Sequence, residues 1–237
     1  MPNNEFTFKK FRVNQDRDVM RVGTDAVILG SWTDPGPAGH ILDVGTGTGL
    51  LALMMAQRSH AEVHAVDIDE EAYEQARENF ILSPWADRLT AHHISLQHYS
   101  VACQDRYDVV ISNPPYFLHA PKGHSEARNL ARHLDRGLNI PDLCNCVKAL
   151  LKPHGRFCVI FPPKESVKFM EYAETHGLYV NRLTRVKTKP GKDVKRMLMQ
   201  LEMVRKEMEV DELIICDKEM NFTDSYLKLT ADFYLNT

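Results

Sequence analysis

Apolar and polar residues follow each other along the chain in a rhythm that predicts short buried strands separated by amphipathic helices. The predicted strands cover residues 41–44, 61–66, 88–92, 107–112, 156–161, 178–187 and 195–204. The predicted helices cover residues 24–32, 50–58, 70–80, 95–99, 127–134, 141–151, 164–176 and 226–234. Thr24 or Asp25 can cap the first predicted helix, and Gly177 can end the helix 164–176. Strands that alternate with helices predict an α/β fold, with a mostly parallel sheet, helices on both faces and an antiparallel edge strand.

The fourth predicted strand, 107–112, leads directly into Asn113-Pro114-Pro115-Tyr116. Prolines cannot continue a strand, so the chain leaves the sheet at the strand's carboxyl end, where open α/β sheets bind ligands. A planar NH2 group offers two protons, which the Asn113 side-chain oxygen and the Pro114 carbonyl can accept, while Tyr116 stacks on the attached ring. The alternative is a proline turn that merely ends a strand. The four residues, predicted here to be catalytic, resemble the (Asp/Asn/Ser)-Pro-Pro-(Tyr/Phe) motif of S-adenosylmethionine-dependent amino methyltransferases.

A glycine-rich turn follows the first predicted strand of the sheet. The turn contains Gly45, Gly47 and Gly49, and Asp43 lies in the strand just before it. Glycines let the backbone approach a ligand closely, but Leu50 stands where the dinucleotide pattern Gly-x-Gly-x-x-Gly has its third glycine. A carboxylate at Asp43 would repel a phosphate and suits the cationic S-adenosylmethionine instead. The alternative is an ordinary turn of an NAD-type fold.

The ends of the next two strands supply further candidates for the cofactor site. Asp67 can bind both ribose hydroxyls, and Ile68 adjoins it. The acidic residue that usually follows the third strand in such proteins is missing, so Ser95 or a backbone amide must contact the adenine.

The layout and these motifs resemble the Rossmann-like class I methyltransferases, which have a seven-stranded sheet. A closer resemblance, to the bacterial tRNA(Val) adenine-37 N6-methyltransferases, covers most of the chain. It rests on Phe8–Trp32, Leu42–Gly49, Asp67, Asn113–Phe117 and Arg128–Leu134. This resemblance implies methylation of adenine N6 in an anticodon loop, with Thr24 and Asp25 closing the cofactor site.

A basic cluster on the last two predicted strands and their turn indicates an RNA partner. It consists of Arg182, Arg185, Lys187, Lys189, Lys192, Lys195 and Arg196. Lys122, Arg128, Arg132 and His133 can extend this surface. The interleaved aromatic and basic residues of 6–19 can either stack on bases or place their phenylalanines in the core. A solvated surface is the alternative for the basic cluster.

The bulk composition narrows these predictions without deciding them. The chain has 237 residues, 43% of them hydrophobic, and a net charge of −3, so a basic surface must be local. Five cysteines and eleven histidines lack metal-site spacing, and no apolar run is long enough for a membrane span. We therefore expect no metal, no membrane contact, a cytoplasmic location and a monomer. We expect one domain: an extension over the cofactor site (1–35), a catalytic core (36–206) and a C-terminal extension (207–237).

Three other functions fit parts of the same pattern. A protein glutamine N5-methyltransferase of the release-factor type would use the same segment, Asn113–Tyr116, because a glutamine amide also carries a planar NH2 group. An rRNA or DNA adenine methyltransferase is the next alternative. A catalytically silent RNA-binding subunit would be expected to have a degraded glycine turn, and here the turn is intact.

Overall fold

A large α/β sheet organises the computed structural model, which describes residues 4–115 and 138–235. The strands are β1 (Glu5–Thr7), β2 (Arg12–Asn14), β3 (His40–Val44), β4 (Glu62–Asp67), β5 (Leu89–His93), β6 (Tyr107–Ser112), β7 (Leu151–Phe161), β8 (Tyr179–Lys187), β9 (Val194–Glu202) and β10 (Glu209–Ile214). The helices are α1 (Thr24–Trp32), α2 (Leu50–Arg58), α3 (Glu70–Ile81), α4 (Leu96–Ala102), α5 (Ile140–Leu150), α6 (Pro163–Thr175) and α7 (Asp224–Thr230), with a 3-10 turn at Ala86–Arg88. The predicted loop 119–126 and helix 127–134 lie outside the described residues.

The strand order of the sheet is β10-β8-β9-β7-β6-β3-β4-β5, and within the described chain only β9 runs antiparallel to its neighbours. The predicted α/β class, with a mostly parallel sheet and helices on both faces, is confirmed. Two details differ from the prediction. The sheet has eight strands rather than seven, and the antiparallel strand lies inside the sheet rather than at its edge.

The eighth strand, β10, pairs parallel to β8 and forms the edge. Its residues Glu209 to Glu212 are exposed, and Leu213 is its only buried side chain. A strand that buries so little apolar surface carries no strong hydrophobic pattern, which is why sequence patterning missed it.

Helices cover both faces of the sheet, and the central strands are therefore buried on both sides. In β3, Ile41 packs into the core beneath α1, α2 and α3, whereas Leu42 packs into the core beneath α4, α5 and α6. Successive side chains of a strand point to opposite faces, so a strand covered on both faces has a continuous apolar run.

The N-terminal phenylalanines belong to the core. Phe8 and Phe11 are 2% and 5% exposed, and they flank the turn of a separate two-stranded sheet, β1–β2. Phe8 meets Phe233 edge to face, and the Lys9 backbone N–H donates to the Phe233 carbonyl at 2.8 Å. Of the two alternatives for residues 6–19, the structure supports burial in the core, and the two ends of the chain pack together.

The ends of the helices show one wrong prediction and one confirmed one. Gly23, not Thr24 or Asp25, is the N-cap of α1, and it makes no side-chain capping bond. Gly177, with a φ of +74°, ends α6 as predicted. None of the helices in the described ranges is both long and apolar enough to cross a bilayer.

Candidate active site

The two predicted motifs follow the carboxyl ends of two neighbouring central strands, so they lie at the same end of the sheet. β3 pairs with β6 in parallel, and Val44 lies opposite Ser112. The next residues, Gly45 and Asn113, therefore leave the sheet side by side. The Gly45 amide in turn donates to the Val66 carbonyl of β4 at 2.9 Å. The carboxyl ends of β3, β4 and β6 form one site, as expected for an open α/β sheet.

Residues 45–49, called the cofactor loop below, are held by Asp67 at the end of β4. Asp67 is 8% exposed, and its Oδ2 accepts from the Gly47 amide at 2.9 Å. Its Oδ1 accepts from the Asp69 amide at 3.0 Å. Sequence reasoning gave Asp67 only a contact with the ligand, whereas the structure shows that it also supports the loop.

Asp43 is a buried carboxylate that is only partly paired. Its Oδ2 accepts from the Thr46 hydroxyl at 2.6 Å and from the Ala52 amide at 3.2 Å. Its Oδ1 is buried and has no hydrogen-bond partner among the described residues. Burial raises the pKa of Asp43 to about 7. The hydrogen bonds from Thr46 and Ala52 lower the pKa, and the negative charge of Asp67 adds a smaller increase. A cationic group beside Oδ1 would stabilise the ionised form.

The glycines of the cofactor loop adopt a conformation that side chains disfavour. Gly45, Gly47 and Gly49 have φ values of +69°, +57° and +82°. A Cβ at Gly47 would meet no atom within 4 Å, so the space beside it is open. A Cβ at Gly49 would stand 2.6 Å from the Phe80 ring, so at that point α3 presses directly against the loop.

The other predicted cofactor residues lie next to Asp67. The Ile94 amide donates to the Asp67 carbonyl at 2.9 Å, which brings Ser95 to the same edge. Ser95 is the N-cap of α4 and accepts from the His98 amide at 3.2 Å. The half-buried Ile68 has its carbonyl 3.1 Å from Nε2 of His93.

Thr24 and Asp25 begin α1, and Thr24 is exposed. Asp25 forms an ion pair with Arg196, whose Nε lies 2.6 Å from its Oδ2. This contact links the N-terminal part of the chain to β9, which pairs with β8. It gives Asp25 a structural partner that no local sequence pattern indicates.

Part of the predicted catalytic corner is described. Asn113 and Pro115 are half-buried and Pro114 is buried, directly after β6. Tyr116 lies outside the described residues. The predicted extension of the basic surface lies outside the described residues as well. It consists of Lys122, Arg128, Arg132 and His133.

The predicted basic cluster occupies β8, β9 and the turn between them. Because β8 is parallel to β6 and β9 is antiparallel, this turn projects from the edge that carries Asn113. β10 pairs with β8 and lies outside it, so the cluster does not include the outermost strand of the sheet. Three of its members have partners within the protein: Lys187 pairs with Glu212 at 2.6 Å, Arg182 lies 4.2 Å from the Trp32 ring centroid, and Arg196 pairs with Asp25.

Four members of the basic cluster remain. Within the described parts of the chain they make no ion pair, and all but the half-buried Lys189 are exposed. They are Arg185, Lys189, Lys192 and Lys195, and they are called the turn cations below. In the part of the chain that the structure describes, no group of three or more His, Cys, Asp or Glu is placed to hold a metal ion.

Sequence reasoning missed three polar residues that shape the site: Thr46, Asn79 and Ser112. Thr46 and Ser112 adjoin the predicted motifs, and their hydroxyls bond to Asp43 and Val44. Asn79 lies on the apolar face of α3 with Ala76. A polar side chain on an apolar helical face is a usable signal, because a buried carboxamide needs partners.

Comparisons with known proteins identify the family of the chain. The Methyltransferase small domain model matches residues 21–139. A tRNA1(Val) (adenine(37)-N6)-methyltransferase from Phocaeicola vulgatus is 43% identical over 236 residues, covering 100% of both chains. One of the same name from Flavobacterium johnsoniae is 44% identical, covering 97% of this chain and 99% of its own.

Among solved structures, a predicted O-methyltransferase from Agrobacterium tumefaciens superposes with a TM-score of 0.70 at 22% identity, covering 88% of this chain and 96% of that one. At that identity the likeness shows the fold alone. The full-length identities above 40% show more, and the chain belongs to the family of the tRNA1(Val) (adenine(37)-N6)-methyltransferases.

Proposed function

We propose that the protein transfers a methyl group from S-adenosylmethionine to N6 of adenine-37 in the anticodon loop of tRNA(Val). The observation that carries this function is the register of Val44 with Ser112, which sets the cofactor loop beside Asn113. A methyl donor in the loop and an amine at Asn113 would then be neighbours. The names of the full-length relatives supply the substrate.

The residues present fit S-adenosylmethionine. The unpaired Oδ1 of buried Asp43 favours a cation, and the open space beside Gly47 leaves room for a ligand against the backbone. When bound, the cofactor supplies a methyl group activated by a positively charged sulfur. Asp67, Ile68 and Ser95 would hold its nucleoside part, while Thr24 and Asp25 would close the site.

Asn113 and its neighbours hold the target amine. The Asn113 side-chain oxygen and the Pro114 carbonyl accept hydrogen bonds from the two N6–H groups, and Tyr116 stacks on the adenine. Both contacts favour the pyramidal, partly positive nitrogen of an in-line displacement over the flat ground state. The adenine must leave its stack, at a modest cost because an anticodon loop is not a duplex. No histidine base is required, since the methylated amine is acidic enough to lose a proton to water.

The turn cations support an RNA substrate. They project from the same edge as Asn113, so a tRNA whose adenine enters the site would bring its backbone past them. Phosphate contacts at this turn would fix the position of the anticodon loop but carry no base specificity.

The remaining expectations complete the proposal. The protein acts as a monomer in the cytoplasm, as one domain. Residues 1–35 lie over the cofactor site, residues 36–206 form the catalytic core, and residues 207–237 extend it.

One transfer experiment tests the function. The protein is incubated with S-adenosylmethionine labelled in the methyl group and, separately, with bulk tRNA, rRNA and release factors. Label in N6-methyladenosine from the tRNA fraction, at position 37 of tRNA(Val), is the expected result. Label in a glutamine of a release factor would identify the protein methyltransferase instead, and label in rRNA would identify the other adenine methyltransferase.

A further inference from the structure

Asn79 is a buried amide that bonds to two separate parts of the chain. It lies on α3 and is 1% exposed. Its Nδ2 donates to the Thr48 carbonyl at 2.8 Å and to the Asn14 carbonyl at 2.9 Å, while its Oδ1 accepts from the Asn14 amide at 2.8 Å. Exchanging the amide's oxygen and nitrogen would set an oxygen against two carbonyls, so these partners fix its orientation.

The first of these parts is the cofactor loop. Thr48 precedes Gly49, the N-cap of α2, and Gly49 lies against Phe80 so closely that it has no room for a Cβ. Asp67 holds the middle of the loop through the Gly47 amide. Asn79 holds its end, so the loop is fixed between β4 and α3.

The second part is the N-terminal segment, defined here as residues 14–22. A second buried amide of α3, Gln75, accepts from the backbone amides of Asp16 and Arg17, each at 3.2 Å. The Gln15 side chain then accepts from the Val22 amide at 3.0 Å, just before α1 begins. The segment that delivers Thr24 to the site is therefore attached to α3 by its backbone.

We propose that Asn79 is a positioning residue that couples the cofactor loop to the N-terminal segment, so that a ligand which orders one also orders the other. The same carboxamide serves both, and any motion of α3 at this point shifts both together. Coupling of this kind is reciprocal: a docked N-terminal segment strengthens cofactor binding, and bound cofactor stabilises the docked segment. The inference rests on the cofactor assignment of the proposed function, not on its RNA substrate.

Hydrogen exchange of the full-length protein with S-adenosylhomocysteine tests the coupling. In the wild type, the ligand should slow exchange of the Gly47 amide and also of the amides of Asn14, Asp16, Arg17 and Val22. In Asn79→Leu, which keeps the branched shape and the number of heavy atoms but has no polar atoms, the slowing at Gly47 should remain, whereas the slowing should be lost at Asn14 and reduced in the rest of the N-terminal segment. Calorimetry should show affinity for S-adenosylhomocysteine weaker by about tenfold, because the Thr48 carbonyl is left unpaired.

A matched control is present in the same protein. Asn181 is also a buried amide that bonds to the backbone through both of its polar atoms. It donates to the Val204 carbonyl at 2.9 Å and accepts from the Lys206 amide at 3.0 Å. It lies near the amino end of β8, at the opposite edge of the sheet from the cofactor loop. Asn181→Leu should cost similar stability and leave both the exchange pattern and the ligand affinity as in the wild type.

The wild-type measurement decides the matter even if Asn79→Leu fails to fold, and Asn79→Ser provides a milder variant. Ligand binding that slows Gly47 but leaves the N-terminal segment unchanged in the wild type overturns the coupling alone. The same protection pattern in Asn79→Ser as in the wild type also overturns it. A wild-type protein that does not bind S-adenosylhomocysteine overturns the proposed cofactor together with the coupling.

Discussion

Ser112 donates a hydrogen bond from its Oγ to the carbonyl of Val44 across 2.8 Å, and this bond joins the last residues of β6 and β3. Ser112 is fully buried, and each of the two residues immediately precedes one half of the proposed site. The distance between Gly45 and Asn113 is therefore set by a side-chain bond as well as by the sheet itself.

Replacing Ser112 should show how much its hydrogen bond contributes to stability and how much to turnover. We expect Ser112→Ala to lower the free energy of unfolding by about 1–2 kcal/mol, because the buried Val44 carbonyl loses its partner. We also expect kcat to fall by about tenfold, because small displacements of reacting groups are costly. Urea unfolding and single-turnover methylation measure the two effects.

Ser100→Ala is the control for this variant, since Ser100 makes a similar bond to the Gln97 carbonyl within α4, away from the corner. It should leave kcat unchanged. Wild-type turnover in a destabilised Ser112→Ala would show that the bond serves folding only.

Asn113→Ala should lower turnover while leaving the cofactor site intact. Because the Asn113 oxygen accepts a hydrogen bond from an amine that becomes positive only as it reacts, we expect kcat to fall by about a hundredfold. Affinity for S-adenosylhomocysteine, measured by calorimetry, should stay at the wild-type value. Asn113→Asp, which keeps an acceptor, should retain more activity than Asn113→Ala. Methylation by the alanine variant at the wild-type rate would remove Asn113 from the mechanism.

The raised pKa of Asp43 predicts an unusual dependence of stability on pH. The folded protein holds a proton on Asp43 up to a pKa of about 7, whereas the unfolded chain loses it near 3.8. The folded state therefore binds more protons between these values, and the ligand-free protein should lose stability as the pH rises from about 4 to about 7. Asp43→Asn should flatten this slope, which urea unfolding across that range measures.

The same carboxylate should make ligand binding depend on pH in the opposite direction. Because an ammonium group beside Oδ1 favours ionised Asp43, and S-adenosylhomocysteine carries one on its amino-acid part, affinity for this ligand should rise as the pH increases towards about 7, with release of a proton. Asp43→Asn should bind more weakly and without this rise. A wild-type affinity that is constant across the range would mean that Asp43 does not face the ligand's charge.

Charge reversal of two turn cations should weaken tRNA binding without affecting the cofactor. We expect the variant Lys189→Glu with Lys192→Glu to lose affinity for tRNA and to reduce the slope of log K against log salt by about 1 per lost phosphate contact. Filter binding at several salt concentrations gives both values.

Arg106→Glu with Lys148→Glu changes the net charge equally and serves as the control. Arg106 stands just before β6 and Lys148 near the end of α5, so both exposed side chains lie at the opposite edge of the sheet. This pair should keep the wild-type slope. Equal losses in the two variants would mean that overall charge, not the turn, governs tRNA binding.

The sequence predicts the parts of this structure that local patterns encode. The runs around Val109 and Leu42 are apolar on both faces, so the central strands and their parallel arrangement followed from hydrophobicity alone. Glycines at 45, 47 and 49 and prolines at 114 and 115 marked the places where the chain leaves the sheet. Because parallel strands share a carboxyl edge, the meeting of the two motifs could also be expected.

Contacts between distant residues could not be expected in the same way. Asp25 reads as a helix cap, yet it pairs with Arg196, 171 residues away. Lys187 and Arg182 read as free cations, yet Glu212 and Trp32 engage them. No local pattern specifies a partner that lies in another part of the chain, so the sequence overstated the number of basic residues open to RNA.

The packing of Phe8 against Phe233 has a consequence for how the protein matures during synthesis. The Lys9 ammonium donates to the Ala231 carbonyl at 2.6 Å, a contact between residues 222 positions apart. The N-terminal hairpin therefore emerges from the ribosome long before the surface that covers it. Until the last helix has been translated, its phenylalanines lie exposed, a situation that favours aggregation or chaperone binding.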